Sequence, residues 1–328
     1  MLLDHTIMTF LIPLLLGWFL DLLLGDPIYL PHPVVYMGRW ISFWEHHTNH
    51  GKYKKTKGAC FAVTSIVLIF VLAWGVKLWL TDDEKIYILI STVFVFFSLA
   101  GHTLRKEVKL VFEALDESLD KGRKQVARIV GRDTKMLSRQ EVCTAALETL
   151  AENLSDGIIA PLLWYLALGL PGMLTYKMIN TMDSMIAYRT DRFKNYGCWA
   201  AHIDDIANYI PARITALLIV ICGYIYYKVN HLNTSYTLSQ LAKFVCHYGN
   251  NHLSPNSGWP EAALAGILSC RFGGTHSYFG EDCYKPFIGN NPRVLTLKDM
   301  HTSIKVCFRV ELITIISVVI LTLFIYHF

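Results

Sequence analysis

The residues whose types best suit chemistry lie between Asn180 and Arg213, in the stretch NTMDSMIAYRTDRFKNYGCWAAHIDDIANYIPAR. It holds Asp183, Asp191, Asp204 and Asp205 together with Arg189, Arg192 and Arg213. The flanking runs are apolar, and charged groups between membrane-type segments are costly unless they bind a ligand or meet water. A helix over Asn180–Asp191 sets Asn180, Asp183, Ser184, Ala187 and Asp191 on one stripe. Amide, hydroxyl and carboxylate oxygens on such a stripe suit Mg2+, a hard ion that usually binds through one or two carboxylates plus phosphate oxygens. Asp183 and Asp191 on that stripe are the candidates for such an ion.

Two further polar islands stand in apolar surroundings. In EVCTAALETLAENLSDG, from Glu141, a helix aligns Glu148, Glu152 and Asp156 on one face with no lysine or arginine in the stripe. Like charges at that spacing destabilise a helix by a few tenths of a kcal/mol per pair unless a cation is present, which points to a site more than to a solvated face. In SPNSGWPEAALAG, from Ser254, Pro255, Asn256, Gly258 and Pro260 define a turn, and Glu261 falls in the first turn of a helix. The free N–H groups of such a helix start form an anion site, which makes Asn256, Ser257, Gly258 and Glu261 candidates for a phosphate or carboxylate; a simply capped helix is the alternative. Neither phosphate-loop signature, GxxxxGK[ST] or GxGxxG, is present. Near the start, GDPIYLPHPVVYMGRWISFWEHH places Asp26, His32 and Arg39 close after Asp21, either as a structured connector or as a ligand loop.

The elements that must position these residues are membrane helices. Of 328 residues, 53% are hydrophobic and 17% charged, against about 25% charged in soluble domains. The net charge of +4 is not gathered in a tail, so nucleic-acid binding has no support. Eight cysteines without a C-x-x-C pair read as reduced, structural thiols. Span candidates are Ile7–Leu24, which lacks a cleavage site and reads as retained, then Ala59–Leu80, Ile86–Ala100, Asn208–Tyr227 and Val310–Phe324. Between Thr103 and Arg139, ten Lys/Arg face six Asp/Glu. There Leu104, Val108, Val111, Phe112, Leu115 and Leu119 mark an amphipathic helix, lying either on the membrane surface or on the protein itself. The expected fold is all-α: a polytopic membrane helix bundle with polar cytoplasmic loops and amphipathic interfacial helices, in a single domain over 1–328.

The basic loop 25–58, the acidic turn 81–85 and the basic segment 103–139 agree with an external N-terminus by the positive-inside rule. Ile158–Met178 is apolar but contains Pro161, Gly169, Pro171 and Gly172, and is either a kinked span or a re-entrant pair of half-helices. The choice matters, because a full crossing puts residues 180–207 outside.

The ordered set GDPIYLPHPVVYMGR, ENLSDGIIAP, NTMDSM, AAHIDDIANYIPAR and SPNSGWPEAALAG, spread over about residues 17–295, resembles the CobD/CbiB family of cobalamin biosynthesis. The resemblance implies a multi-pass inner-membrane adenosylcobinamide-phosphate synthase with its active site at the cytoplasmic face. Such an enzyme joins an amino-alcohol phosphate, (R)-1-aminopropan-2-ol phosphate or ethanolamine phosphate, to a propionate of adenosylcobyric acid, using ATP and Mg2+. It also implies the lipid bilayer and other late cobalamin-pathway membrane enzymes as partners. A carboxylate must be activated before an amine attacks it, and phosphoryl transfer needs a metal and cationic groups. Mg2+–ATP is then expected on Asp183 and Asp191, or on Asp204 and Asp205, with Glu152 and Asp156 as the other candidates, and Arg189, Arg192 and Arg213 on phosphates. Glu152, Asp156, Asp183 and Asp204 are the candidate catalytic carboxylates, with Glu152 accepting the amine proton. The competing readings are a membrane Mg-dependent phosphotransferase, for which the DDIAN sequence at 204–208 matches neither DDxxD nor DGxxAR, and a non-catalytic corrinoid-binding sensor.

Overall fold

The computed structural model describes residues 2–27, 30–80, 82–188, 190–231, 236–278 and 280–327. The first part of the chain forms α1 (Leu2–Leu24), α2 (Pro33–Thr48), α3 (Lys54–Trp79), α4 (Glu84–Ser98), α5 (Gly101–Glu117) and α6 (Leu119–Val126). Next come α7 (Arg139–Leu154), a π-helical turn at Ser155–Ile159, α8 (Ala160–Ile186), α9 (Cys198–Ala207), α10 (Tyr209–Val229), α11 (Leu238–Tyr248) and α12 (Gly258–Leu268). A two-stranded antiparallel hairpin, β1 (Phe272–Tyr278) and β2 (Glu281–Ile288), precedes the long α13 (Leu297–His327). Among the described residues, six stretches are long and apolar enough to cross a membrane: Ile7–Leu24, Lys54–Trp79, Glu84–Glu117, Arg139–Ile186, Tyr209–Val229 and Leu297–Ile325. The protein is an all-α polytopic membrane protein, and the hairpin is the element the sequence pattern did not announce. All eight cysteines are free thiols.

The chain divides into two compact units. One comprises Met1–His102, Gly157–Asn208 and Thr314–Phe328; the other comprises Thr103–Asp156 and Tyr209–Ile313.

In the first unit, α1 packs on α4 so closely that a methyl group on Gly17 would lie 2.6 Å from Val95 Cγ1. Such contact through a small residue is how membrane helices gain van der Waals packing. Asp21, at the end of this pair, accepts from the Gly101 backbone N–H at 3.1 Å.

α8 settles the choice between a span and a hairpin. Gly169 has φ 65° and ψ −153°, which breaks the helix in two. A Cβ on Gly172 would lie 2.4 Å from the Trp164 carbonyl oxygen. Eight residues of continuous helix would separate those positions by about 12 Å, so the two halves fold back on each other. The entry, at Gly157, lies beside Ala100, with a Cβ contact of 3.7 Å. The tip lies beside Phe10, where the Tyr165 hydroxyl donates to the Phe10 carbonyl at 2.7 Å. The returning half ends with Met178, Met182 and Ile186 packed among Met37, Ile41, Phe61 and Tyr196. Tyr196 in turn backs onto Gly58 near the start of α3, where a Cβ would meet its carbonyl oxygen at 1.9 Å. The chain after α8 therefore returns to the side of the membrane that holds the basic loop before α3. Arg139–Ile186 is apolar enough to cross, but within it α8 is a re-entrant hairpin.

In the second unit, α12 is buried along its length between α10 and α11. A Cβ on Gly223 of α10 would lie 2.7 Å from Ile267. The capping box of Ser138 and Glu141 starts α7, which packs on the other side of α12. Leu104, Val108, Val111, Phe112 and Leu115 are all buried, so the amphipathic helix at α5 lays its apolar face on the protein itself. In the hairpin, the register shifts between Phe272 and Gly274, a bulge at which Gly273 adopts φ 80°. A side chain there would strike the Pro286 carbonyl oxygen at 2.4 Å, so only glycine fits.

Candidate functional site

The second unit gathers a buried polar cluster from four elements. Glu148, on the inner face of α7, is 2% exposed. Its Oε2 accepts from Arg132 Nη2 at 2.6 Å, and its Oε1 from the Gly273 backbone N–H at 2.7 Å. The β-bulge presents that N–H by removing it from the regular ladder. His276 of β1 stands against Arg132 Nη1 at 3.0 Å from its Nε2. One turn along α7, Glu152 Oε1 accepts from the Ser257 hydroxyl at 2.8 Å. His252 Nδ1 accepts from the Ser254 N–H at 3.0 Å, while Lys285 Nζ of β2 lies 2.9 Å from His252 Nε2. Glu261 of α12 closes the cluster with Oε1 at 3.7 Å from His252 Nε2.

Burial sets the protonation pattern. It pushes His252 down to about 4, with the positive charge of Lys285 acting in the same direction. Burial, then the Arg132 guanidinium, likewise pushes His276 down to about 4. Both rings are neutral at pH 7. Burial also drives the Glu261 carboxyl well above its usual range, assisted by the neighbouring carboxylates Glu148 and Glu152. The cluster thus combines a carboxyl raised well above its usual range, carboxylates held by fixed donors and two cationic side chains, the contrast from which acid and base roles are drawn.

The sequence candidates distribute unevenly over this structure. Glu152, Ser257, Asn256, Gly258, Glu261 and Arg213 all fall in the second unit. Arg213 is stacked between rings, its Cζ 3.6 Å from the Tyr209 centroid and 4.8 Å from that of Trp259, and it donates to Asn256 Oδ1 at 2.8 Å. At the start of α12, the Ser257 hydroxyl already meets the protein's own Glu152. The Asn256 and Ser257 N–H groups are taken by the Ser254 hydroxyl oxygen at 3.2 and 3.4 Å, so the turn that leads into α12 meets these donors from within. Asp156 lies in the π-helical turn, where the three-and-four spacing that would align it with Glu148 and Glu152 no longer holds.

Asp183, Asp191, Asp204 and Asp205 belong to the first unit. The stripe expected over Asn180–Asp191 is cut short. α8 stops at Ile186, the Ala187 N–H closes on the Asp183 carbonyl, and Gly197 doubles back onto the helix end, leaving Asp191 exposed in the following turn. Asp204 is 8% exposed and held in a chain: Tyr176 hydroxyl to Asn208 Oδ1 at 2.8 Å, then Asn208 Nδ2 to Asp204 Oδ2 at 2.9 Å. Arg192 departs from its expected role as a free phosphate fork, since both arms grip Glu45 at 3.0 and 2.6 Å. That hydrogen bond holds the Glu45 carboxyl below its ordinary value. Arg189 lies outside the described residues. Among the described residues no group of three or more His, Cys, Asp or Glu side chains is arranged to hold a metal. A site of one or two carboxylates completed by phosphate oxygens needs no such group, and α8 and α9, which carry Asp183, Asp204 and Asp205, pack together.

Arg132, His252, His276 and Lys285 were not among the sequence candidates. Arg132 was one cation in a basic stretch, and the two hairpin residues carried no readable period. His252 alone had a signal, standing two residues before the SPNSGWPE turn.

A membrane-embedded helical scaffold enclosing titratable groups of divergent protonation defines a polytopic membrane protein with a built polar site. Within that class, residues 14–307 match the family model described as CobD/Cbib protein, and the chain belongs to this family. It is 36% identical to the cobalamin biosynthesis protein CobD of Clostridium tetani, over 93% of this chain and 96% of the relative. It is 39% identical to that of Desulfotalea psychrophila, over 89% and 92%. The CobD of Listeria monocytogenes serotype 4b is 37% identical, over 92% and 94%. No solved structure matches the chain.

Proposed function

We propose that this protein makes an amide in cobalamin biosynthesis, joining an amino-alcohol phosphate to a propionate of adenosylcobyric acid at the expense of ATP. The observation that carries the reading is the buried cluster around Glu148, Glu152 and Glu261, which pairs fixed carboxylates with a protonated acid and the cations Arg132 and Lys285. Family membership and the relatives' names support the pathway.

In this reading the substrate carboxylate oxygen attacks the terminal phosphorus of ATP and releases ADP. The amine nitrogen then attacks the acyl carbon, the carbon–oxygen bond breaks, and phosphate leaves. Bound Mg2+ would neutralise charge on the transferring phosphoryl group. Asp183, Asp204 and Asp205 are the residues proposed to hold it. Glu152, held by the Ser257 hydroxyl, takes the proton of the attacking amine. In this reading Glu261 gives a proton to the departing phosphate, since burial and its carboxylate neighbours raise its carboxyl well above the usual range. Arg132 and Lys285 offset the negative charge that accumulates near the three glutamates.

The re-entrant α8 supports a cytoplasmic site, because the acids after it return to the side of the basic loop before α3. The deciding assay is mass-spectrometric detection of the amino-alcohol phosphate conjugate of adenosylcobyric acid formed by purified protein with Mg–ATP. The conjugate is expected only when ATP is present. Corrinoid binding without any conjugate would favour the sensor reading and sink this one.

A further inference from the structure

α13 carries a cationic stripe that the proposed reaction does not use. Lys298, Thr302, Lys305 and Arg309 fall at intervals of four, three and four residues, which puts them on one helix face, and His301 stands beside them. Lys298, His301 and Lys305 are exposed and line an open cavity of about 630 Å3 with Thr302, Tyr226 and Asn230. His231 and Thr296 line an adjoining cavity of about 480 Å3 that shares Lys298 and Thr302.

The nearby acid Asp299 is committed to Arg293, at 2.5 and 3.0 Å, and to Thr296. Neither Lys298, Lys305 nor Arg309 forms an ion pair with an acidic side chain among the described residues. Arg309 stacks over Tyr226 at 4.6 Å, yet its Nη1 is buried without a hydrogen-bond partner. A buried guanidinium N–H left unsatisfied is expensive, and Arg309, though it lines neither cavity, adds its positive charge behind Tyr226, which lines the first. The setting is the end of the apolar run of α10, where Ile225 and Val229 are exposed, and Leu297, next to Lys298 in the chain, is exposed as well. That combination, basic head and apolar flank, matches the two ends of a phospholipid.

We propose that this face is a binding site for a phosphate group carried by an anionic phospholipid, with Lys298, His301 and Lys305 on the phosphate and Ile225, Val229 and Leu297 against the chains. The test uses full-length protein in nanodiscs of phosphatidylcholine with and without phosphatidylglycerol, reading retained lipid by native mass spectrometry. Wild type is expected to retain phosphatidylglycerol in preference to phosphatidylcholine. The double variant Lys298→Ala, Lys305→Ala should weaken that retention by roughly 30-fold, about fivefold for each lysine near an anionic surface. Both side chains are exposed, and an unchanged melting transition in phosphatidylcholine alone would show the variant folded. Equal retention of the two lipids by wild type, or undiminished phosphatidylglycerol retention by the folded variant, overturns the proposal. So does displacement of phosphatidylglycerol by millimolar inorganic phosphate, which would make the stripe a site for a soluble anion.

Discussion

Arg132 and Glu148 meet at 2.6 Å with side chains only 7% and 3% exposed, and the Gly273 N–H holds the other carboxylate oxygen. The like-charged stripe on α7 is therefore neutralised from outside its own helix, by a residue sixteen positions upstream.

Removing one member of this pair leaves a buried charge alone. Arg132→Met is expected to destabilise the protein by about 3–5 kcal/mol, and adding Glu148→Gln should recover part of that loss. Denaturant unfolding in detergent measures both. A double variant no more stable than Arg132→Met would mean that the pair does not set this cost.

The re-entrant hairpin predicts topology. In a background with the exposed Cys60 and Cys246 changed to serine, cysteines introduced at His50 and Ser184 should label from the same side of the membrane. Labelling from opposite sides would require α8 to cross fully. Gly172→Leu, which must displace the Trp164 carbonyl, should lower stability by about 1–3 kcal/mol or more.

The pH dependence of stability follows from the two neutral histidines. Their folded values near 4 lie below the ordinary 6.5, so the stability they contribute is present above pH 6.5 and is lost as pH falls toward 4. His252 alone accounts for up to about 3 kcal/mol over that window. Glu261 has the opposite sign: its raised value gives stability that is complete below 4.5 and is lost as pH rises. Glu261→Gln, which mimics the protonated acid, should therefore gain on wild type as pH climbs from 5 to 8. Melting curves at stepped pH read both trends, and parallel curves for wild type and the glutamine variant would refute the assignment.

The metal assignment is testable at Asp183, Asp204 and Asp205. Single changes to asparagine should leave folding intact, and at least one should lower Mg-dependent ATP turnover with both substrates present by roughly 100-fold. Full activity in all three variants would remove the first unit's acids from the metal site.

Much of the fold was legible because hydrophobic length and charge shortage act locally. Runs such as Ile7–Leu24 and Lys54–Trp79 announce spans wherever they occur. Pro171 with Gly169 and Gly172 announced a break in α8, though not its angle. The family, too, was written in ordered motifs.

The site was legible in fragments. Glu152, Ser257 and Glu261 were visible as polar islands whose burial had to be justified. That Ser257 meets Glu152 across 105 residues, that Lys285 reaches His252 from a hairpin with no hydrophobic period, and that Arg192 is claimed by Glu45 are long-range pairings. A sequence fixes which groups are expensive to bury, since that follows from residue type. Which partner offsets each expense depends on where distant backbone comes together, and here only the packing of α7, α12 and the bulged hairpin decided it.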